Sequence, residues 1–499
     1  MIYNFNLGIG WASSGVEYAQ VYRARMFRNI NAEAKFVFTD MIARDNIQIL
    51  TQNIGLLDSE VMWLYTFFTD TKIAPVSYTL ADLQKTFPIK TFSFKRDGKI
   101  AKYIFPGNGN FYTCYMQDEE SDLVHRVEMV ENGCLIRKDF YTYCRLFSEY
   151  YAPFNREAHL YQRRFFNEDG SIAYEEIIDD ENVMYRFPEK FLYSKEELVG
   201  YMVSNLNLTE SDIVIIDRTT GIGQTIMENA GPARIGIIIH ADHFSEGSTD
   251  EDYILWNNYY EYAFSQWKHV SFYITATDAQ NQLVREQFIK YMGIEPNVVT
   301  IPVGSLPELK KPVGERKTHS LITASRLASE KHVDWLVEAV AKVHEVVPDV
   351  TLDIYGEGSE STKIRECIAK FDCSAYVKLC GQQKLDEVYK NYDAYFAGST
   401  SEGFGLTLLE AVGSGLPIIG FDVRYGNQNF IDEGLNGYKI PINEKMDQKD
   451  KVAGLANAMI KLLTEDDMDE CHKNSYKKAE EYLTSEVEKK WKRLVEKTI

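Results

Sequence analysis

Apolar residues along the chain gather into short, near-continuous runs, and the stretches between the runs carry a helical repeat. One series of runs occupies 2–7, 213–216, 235–239, 270–276 and 298–303. A second occupies 321–324, 351–355, 376–379, 394–397 and 417–421. Runs without strict alternation mark parallel strands covered on both faces. Between runs, Val333, Leu336, Val337, Val340 and Val343 recur at intervals of three and four and stop short of Pro348, which predicts a helix. Strand–helix alternation of this kind predicts an α/β protein with two doubly wound parallel sheets. Pro302, Pro307 and Pro312, around 304–317, place a hinge between them.

The pattern changes between about 79 and 193. Helical period disappears, aromatics are frequent, and Asp97-Gly98, Asn132-Gly133 and Asp169-Gly170 recur at roughly even spacing. Such dipeptides flanked by β-branched or aromatic residues signal hairpins. The reading is an antiparallel β-meander inserted into the first α/β unit, since βαβ patterning resumes after it. Inserted sheets leave edges that need covering, so the insert is either a structural elaboration or a docking surface.

Composition narrows the function. The 499 residues accommodate two or three domains, with 45% hydrophobic and 26% charged residues, ordinary for a globular protein. A net charge of −20 argues against nucleic acid as a partner. The seven cysteines, at 114, 134, 144, 367, 373, 380 and 471, include no C-x-x-C pair, which suits reduced thiols in a cytosol and offers no metal framework. No secretory leader is expected at the strand-like N-terminus, and no apolar run is long enough to span a bilayer.

The strongest chemical signal is S-E-G-F-G-L-T-L-L-E, residues 401–410. A Gly-X-Gly turn opening an apolar helix leaves backbone N–H groups for an anion, phosphate above all. Glu402 ahead of the turn and Glu410 inside the helix cannot bind phosphate and suit hydroxyl groups instead. Phosphate beside a polyhydroxyl compound points to a nucleotide sugar. Arg326 and Lys331 follow the strand at 321–324, at the edge where open α/β sheets bind ligands, and would neutralise a diphosphate. His240 and His243 follow the strand at 235–239; His240 suits a sugar hydroxyl, and His243 is the lesser candidate. H-A-D-H lacks a third ligand for a metal. Glycines in the loop G-I-G-W-A-S-S-G after the first strand, Gly15 among them, permit close approach of a phosphate, although G-x-G-x-x-G spacing is absent. Ser14 and Glu17 there have capping-box spacing. Gly356 in I-Y-G-E-G either contacts the nucleotide or simply turns the chain. The last helix puts Val487, Trp491, Leu494 and Thr498 on one stripe among Lys489, Lys490, Lys492 and Arg493. It either packs on the body or meets an anionic membrane surface.

Strand-end Arg326 and Lys331, Glu402-x7-Glu410 and S-G-L-P-I-I-G-F-D together resemble retaining GT-B glycosyltransferases of family four. The family's G-R-L-x-x-x-K-G stands here as S-R-L-A-S-E-K-H, with both charges kept and both flanking glycines lost. The whole chain, including N-L-G-I-G-W-A-S-S-G-V-E-Y-A, F-D-V-R-Y-G-N-Q and the β-insert, is similar to the A subunits of two-protein transferases that begin O-glycosylation of serine-rich-repeat adhesins in Gram-positive bacteria. The resemblance implies a GT-B fold of two Rossmann-like domains facing a cleft. Its parts would be 1–78 and 196–308 for the first domain, 79–195 for the inserted partner-docking sheet, 309–480 for the nucleotide-sugar domain and 481–499 for a closing helix. It implies transfer of N-acetylglucosamine from its UDP donor to Ser/Thr of an adhesin, in the cytoplasm or at the inner face of the membrane. UDP-glucose as donor, or a polysaccharide or lipid-linked acceptor, is the alternative. No metal or cofactor is implied. A catalytically inactive B subunit is the implied partner. By residue, His240, Glu402, Gly403, Phe404, Gly405, Leu406 and Thr407 would hold the donor sugar and β-phosphate. Gly15, Arg326 and Lys331 would hold the diphosphate, and Glu410 the ribose.

Overall fold

The structure, a computed structural model, describes residues 1–11, 15–107, 109–155, 157–443 and 445–496. Ser14 and Thr498, named above, lie outside them.

Among the described residues, two parallel sheets, one large antiparallel sheet and a two-stranded antiparallel ribbon, Phe244–Ser245 with Leu255–Trp256, make up the strands of the molecule. The first is seven-stranded, in the order Val298–Thr300, Phe272–Thr275, Arg234–Ile239, Ile213–Ile216, Ile2–Asn6, Ala34–Phe38 and Val61–Trp63. Every pairing is parallel. The second is six-stranded, in the order Val377–Gly381, Thr351–Tyr355, Ser320–Ala324, Ala394–Phe396, Ile418–Phe421 and Gly437–Ile440, again parallel throughout. All ten apolar runs read from the sequence are strands here. Ala34–Phe38, Val61–Trp63 and Gly437–Ile440 are additional. Ile213–Ile216 and Ile418–Phe421 are buried at every residue, as two-sided cover requires.

In each sheet the strand order reverses once, and such a reversal opens a crevice outside the carboxyl ends of the strands. In the first sheet it lies between Ile2–Asn6 and Ile213–Ile216; in the second, between Ser320–Ala324 and Ala394–Phe396. The segments leaving these four strands are 7–15, 217–221, 325–331 and 397–405. Their described residues supply half of the cleft wall.

The insert is a ten-stranded antiparallel meander whose strands neighbour one another in chain order, from Ser93–Asp97 to Phe191–Leu192. Gly98, Gly133 and Gly170 sit at its turns with φ of 53°, 79° and 84°, so all three expected hairpins form. It is not one independent body. Phe140, Phe147, Phe165, Tyr174 and Tyr185 join the core of the first parallel sheet, while Ala101, Tyr103, Cys114 and Val127 pack with Leu80, Leu83 and Phe87 in a separate cluster. The final helix, Thr484–Glu496, buries Val487, Trp491 and Leu494 in the core of the first unit, and Trp491 lies edge-on to Phe27 at 5.1 Å. Its apolar stripe is thus spent on packing, and on its outer side Lys489 and Lys492 pair with Glu486 and Glu496. Among the described residues, no helix is long and apolar enough to cross a membrane.

Candidate active site

A cleft of about 560 Å³ lies between the two parallel sheets. From the second unit it receives Ser325, Arg326, Lys331, Glu402 and the start of the helix Leu406–Gly413; from the first, Gly15, Asp217–Thr219 and His240.

The helix Leu406–Gly413 begins here because Gly405 takes φ 85°, a left-handed conformation costly for any residue bearing a Cβ. A Cβ at Gly405 would also lie 2.7 Å from Leu408 Cδ1. Behind the turn, Phe404 packs against Phe430 and Tyr482, with ring centroids 5.2 and 6.2 Å away. Tyr425 and Gly426 donate backbone N–H bonds to the Glu402 carbonyl at 2.6 and 2.8 Å. Tyr395 donates to the Ala324 carbonyl at 2.9 Å and lies 3.1 Å from Thr407 Oγ1, tying the helix start to the central strand. The helix N-terminus therefore points into the cleft from a rigid base. The helix Gly15–Asn29 of the first unit also begins at the cleft wall.

Lys331 Nζ is 2.6 Å from Glu402 Oε2, and both side chains are about four-fifths buried, at 18% and 19% exposure. Arg326 pairs with Glu330 at 2.8 Å but keeps 76% of its side chain exposed, so that pair constrains it little. Two cations and two helix N-termini around one void make a site for a polyanionic group, and the Glu402 carboxylate adds hydroxyl recognition beside it.

His240 faces this arrangement from the first unit. Its Nε2 is 2.9 Å from Asp217 Oδ1, and its backbone N–H donates to the Tyr260 hydroxyl at 3.0 Å. Asp217 is buried and has two further partners, Arg23 at 2.5 Å and Gln20 at 2.8 Å. Burial pushes its carboxyl upward, but the Arg23 guanidinium and the His240 ring outweigh that and hold it below its ordinary value. An ionised carboxylate at Nε2 fixes the ring's orientation and leaves Nδ1 for the cleft. Arg23 in turn lies 5.9 Å from the Trp491 ring of the terminal helix.

Most of the residues expected from the sequence converge. Gly15, His240, Arg326, Lys331, Glu402, Phe404, Gly405, Leu406 and Thr407 all line the cleft. Gly403 backs onto the His240 carbonyl, 3.5 Å from where its Cβ would stand, so the two units touch beside the site. Glu410 sits deeper, beside Tyr389; burial raises its carboxyl, and the Tyr389 hydroxyl offsets part of that rise. His243 turns away from the cleft. It is fully buried, with Nε2 2.7 Å from Gln287 Oε1 and Nδ1 3.2 Å from the Tyr425 hydroxyl, and burial lowers its pKa to about 4. Gly356 lies outside the cleft wall: a Cβ there would meet the Ser325 carbonyl oxygen at 1.9 Å, so the glycine serves a close backbone approach. Asp217, Arg218, Thr219, Tyr259 and Tyr260 line the cleft without having been singled out. Asp217-Arg218-Thr219 follow a strand end just as His240 does, and the same rule finds them; the two tyrosines occupy an irregular segment with no such signal.

Comparison with known proteins agrees with this layout. Residues 91–189 match the GtfA extended beta-sheet domain, and residues 307–478 match the glycosyl transferases group 1 family. The chain is 50% identical over 495 residues, 99% of its own length and 98% of the relative's, to the UDP-N-acetylglucosamine–peptide N-acetylglucosaminyltransferase GtfA subunit of Streptococcus gordonii. It is similar to a chain of the crystal structure of a GtfA/B complex, with a TM-score of 0.97 and 50% identity, covering 100% of this chain and 99% of that one. It is also similar to the pneumococcal O-GlcNAc transferase GtfA crystallised with UDP and GlcNAc, with a TM-score of 0.87, 49% identity and coverage of 100% and 98%. A GT-B architecture with a cleft between its two parallel sheets, together with near-full-length similarity, leads to one assignment: the chain belongs to the GtfA-subunit family of UDP-N-acetylglucosamine–peptide N-acetylglucosaminyltransferases.

Proposed function

We propose that this chain transfers N-acetylglucosamine from UDP-N-acetylglucosamine to Ser or Thr of a serine-rich-repeat adhesin, with retention of configuration. The observation that carries the reading is the Lys331–Glu402 pair at the start of the helix Leu406–Gly413, across the cleft from His240.

In this reading Arg326, Lys331, Gly15 and the two helix N-termini hold the diphosphate, and their positive ends stabilise charge on the leaving phosphate. Glu402 and the backbone of 403–407 hold the sugar, His240 Nδ1 meets it near C6, and Glu410 takes the ribose hydroxyls. The acceptor hydroxyl approaches on the face from which UDP departs. Its C1–O bond forms as the C1–phosphate oxygen bond breaks, and the departing phosphate oxygen takes its proton. The protein contributes positioning and charge stabilisation rather than a nucleophile. Cationic side chains do the neutralising, so no metal is required.

The partner in this reading is a catalytically inactive B subunit seated on the β-insert. Support comes from Ser93–Asp97, an outermost strand of the sheet with nearly every residue exposed. Phe94, Ile100, Phe154 and Ile172 are exposed apolar side chains of the same insert. Cytoplasmic location, with the basic face of the terminal helix turned to the inner leaflet, completes the proposal.

The test is sugar transfer from UDP-N-acetylglucosamine to a Ser/Thr-rich peptide by Glu402→Gln and Lys331→Ala, with partner subunit present. Both should lose at least ~10²-fold in kcat/KM while still binding the partner, the scale expected when one charge-stabilising group is removed. Transfer at the wild-type rate by either variant contradicts the assignment.

A further inference from the structure

A second groove, of about 1120 Å³, opens on the first unit beside the cleft. We propose that this groove seats the acceptor and selects an uncharged polypeptide strand rich in hydroxyl side chains. The inference rests on the glycosyl-transfer reading of the cleft and goes beyond it in locating the second substrate.

Continuity is the first argument. Thr219 lines both voids. Asp217 and Arg218 line the cleft, and Thr220 and Gly221 the groove. A second segment behaves likewise, with Tyr259 and Tyr260 on the cleft and Asn258 and Tyr262 on the groove. Thr219 Oγ1 donates to the Tyr259 carbonyl and pins the two segments together at the junction. A chain lying in the groove therefore reaches the donor site at Thr219.

Origin is the second argument. The groove is built by the exit strand of the insert, Phe191–Leu192, by the helices Lys195–Asn205 and Gly223–Asn229, and by residues 258–262. The second unit, which supplies Arg326 and Lys331 to the cleft, contributes no residue to the groove wall among the described residues. The groove thus belongs to whatever meets the nucleotide sugar rather than to the nucleotide.

Wall chemistry defines the class of ligand. Among the described residues, Lys190 is the single cation of the wall, and its ammonium sits 4.2 Å from the Tyr201 ring centroid. Glu196, Glu197 and Glu228 are three carboxylates of the same wall. That balance repels phosphorylated or otherwise polyanionic acceptors. Thr220 and Asn258 present a hydroxyl and an amide suited to an extended backbone and to Ser/Thr hydroxyls, whereas Gln224, Thr225 and Asn229 of the same wall already donate to Glu228, the Glu196 carbonyl and the Thr225 carbonyl. Phe191 and Tyr193, 51% and 67% exposed, add flat apolar surfaces.

The experiment uses the chain with its partner subunit, UDP-N-acetylglucosamine, a neutral Ser/Thr-rich peptide and a phosphoserine-bearing version of it. Thr220→Trp fills the groove from an exposed position. It should lower kcat/KM for the neutral peptide at least ~10-fold while acceptor-independent donor hydrolysis stays within ~2-fold of wild type. Glu196→Lys with Glu228→Lys should raise transfer to the phosphorylated peptide relative to the neutral one. Unchanged peptide kcat/KM in Thr220→Trp overturns the proposal, as does an equal fall in donor hydrolysis. An unchanged preference in the charge-reversed variant overturns the selectivity assigned to the wall. Wild-type hydrolysis of UDP-N-acetylglucosamine tests the underlying reading by itself: its occurrence supports that reading and its absence contradicts it, whatever the groove variants do.

Discussion

At the scale of single residues, two glutamates eight apart are asked to do different work, and their surroundings separate them. Glu402 is held at the cleft by Lys331, whereas Glu410 is sunk beside Tyr389 with its carboxyl raised by burial. His240 owes its aim to Asp217, so Asp217→Asn should lower kcat by ~10² through misorientation of the ring. It should also cost about 3 kcal/mol by leaving the Arg23 guanidinium buried without its carboxylate. Comparing it with His240→Asn separates the two effects, because the latter should lose kcat while keeping most of the stability in urea unfolding. His243 provides a pH signature. Its folded pKa is depressed to about 4 from 6.5, so the unfolded chain takes up the proton first as pH falls. Stability from the neutral ring is complete above about pH 6.5 and is progressively lost toward pH 4, by up to ~3 kcal/mol. The difference in unfolding free energy between wild type and His243→Gln should shrink over that window; a pH-independent difference contradicts the argument. Strand-end polar residues made His240, Arg326 and Lys331 legible in the sequence. His243 was already the lesser candidate in the sequence, and tertiary packing shows why it drops out: four residues beyond the strand end the chain has turned inward.

Elements were legible where their pattern is long. Runs such as 213–216 and 351–355 are apolar enough to be strands wherever they fall. Val61–Trp63 is only three residues long, and Gly437–Ile440 begins with glycine, so neither stands out from its neighbours. The turn at Gly405 was readable as an anion-binding helix start, but its backing by Phe404, Phe430 and Tyr482 joins residues far apart in sequence. Gly405→Ala should misplace that turn and destabilise the second unit by ~1–3 kcal/mol, since the left-handed backbone and the contact with Leu408 both oppose a Cβ. The thermal midpoint should fall, and no change would show that the turn tolerates another conformation. The segment F-D-V-R-Y-G-N-Q, unexplained by spacing alone, bridges the two units beside the cleft. Arg424 pairs with Glu246 at 2.9 Å, and the Tyr425 hydroxyl lies 3.2 Å from His243 Nδ1. Trp491→Ala on the terminal helix removes a core aromatic of the first unit and should cost ~3–5 kcal/mol.

Across the whole molecule, the cleft is a product of topology. Each parallel sheet reverses its strand order once, and the two reversals face each other with cations and a helix start on one side and a carboxylate-oriented histidine on the other. The insert extends the first unit while sharing its core, so removing the insert would open that core and confound any test of docking. Substitution at the exposed edge avoids the difficulty. Phe94→Asp with Ile100→Asp should weaken the complex with the partner subunit at least ~10-fold, equivalent to ~1.4 kcal/mol, and leave donor hydrolysis unchanged. Undiminished complex formation would place the partner elsewhere. The most direct measurement is mass spectrometry of a Ser/Thr-rich peptide incubated with the chain, its partner subunit and a panel of UDP-sugars. The account predicts addition of N-acetylhexosamine to Ser or Thr with UDP-N-acetylglucosamine, abolished in Lys331→Ala. Preferential modification from UDP-glucose, or undiminished transfer by Lys331→Ala, would contradict it.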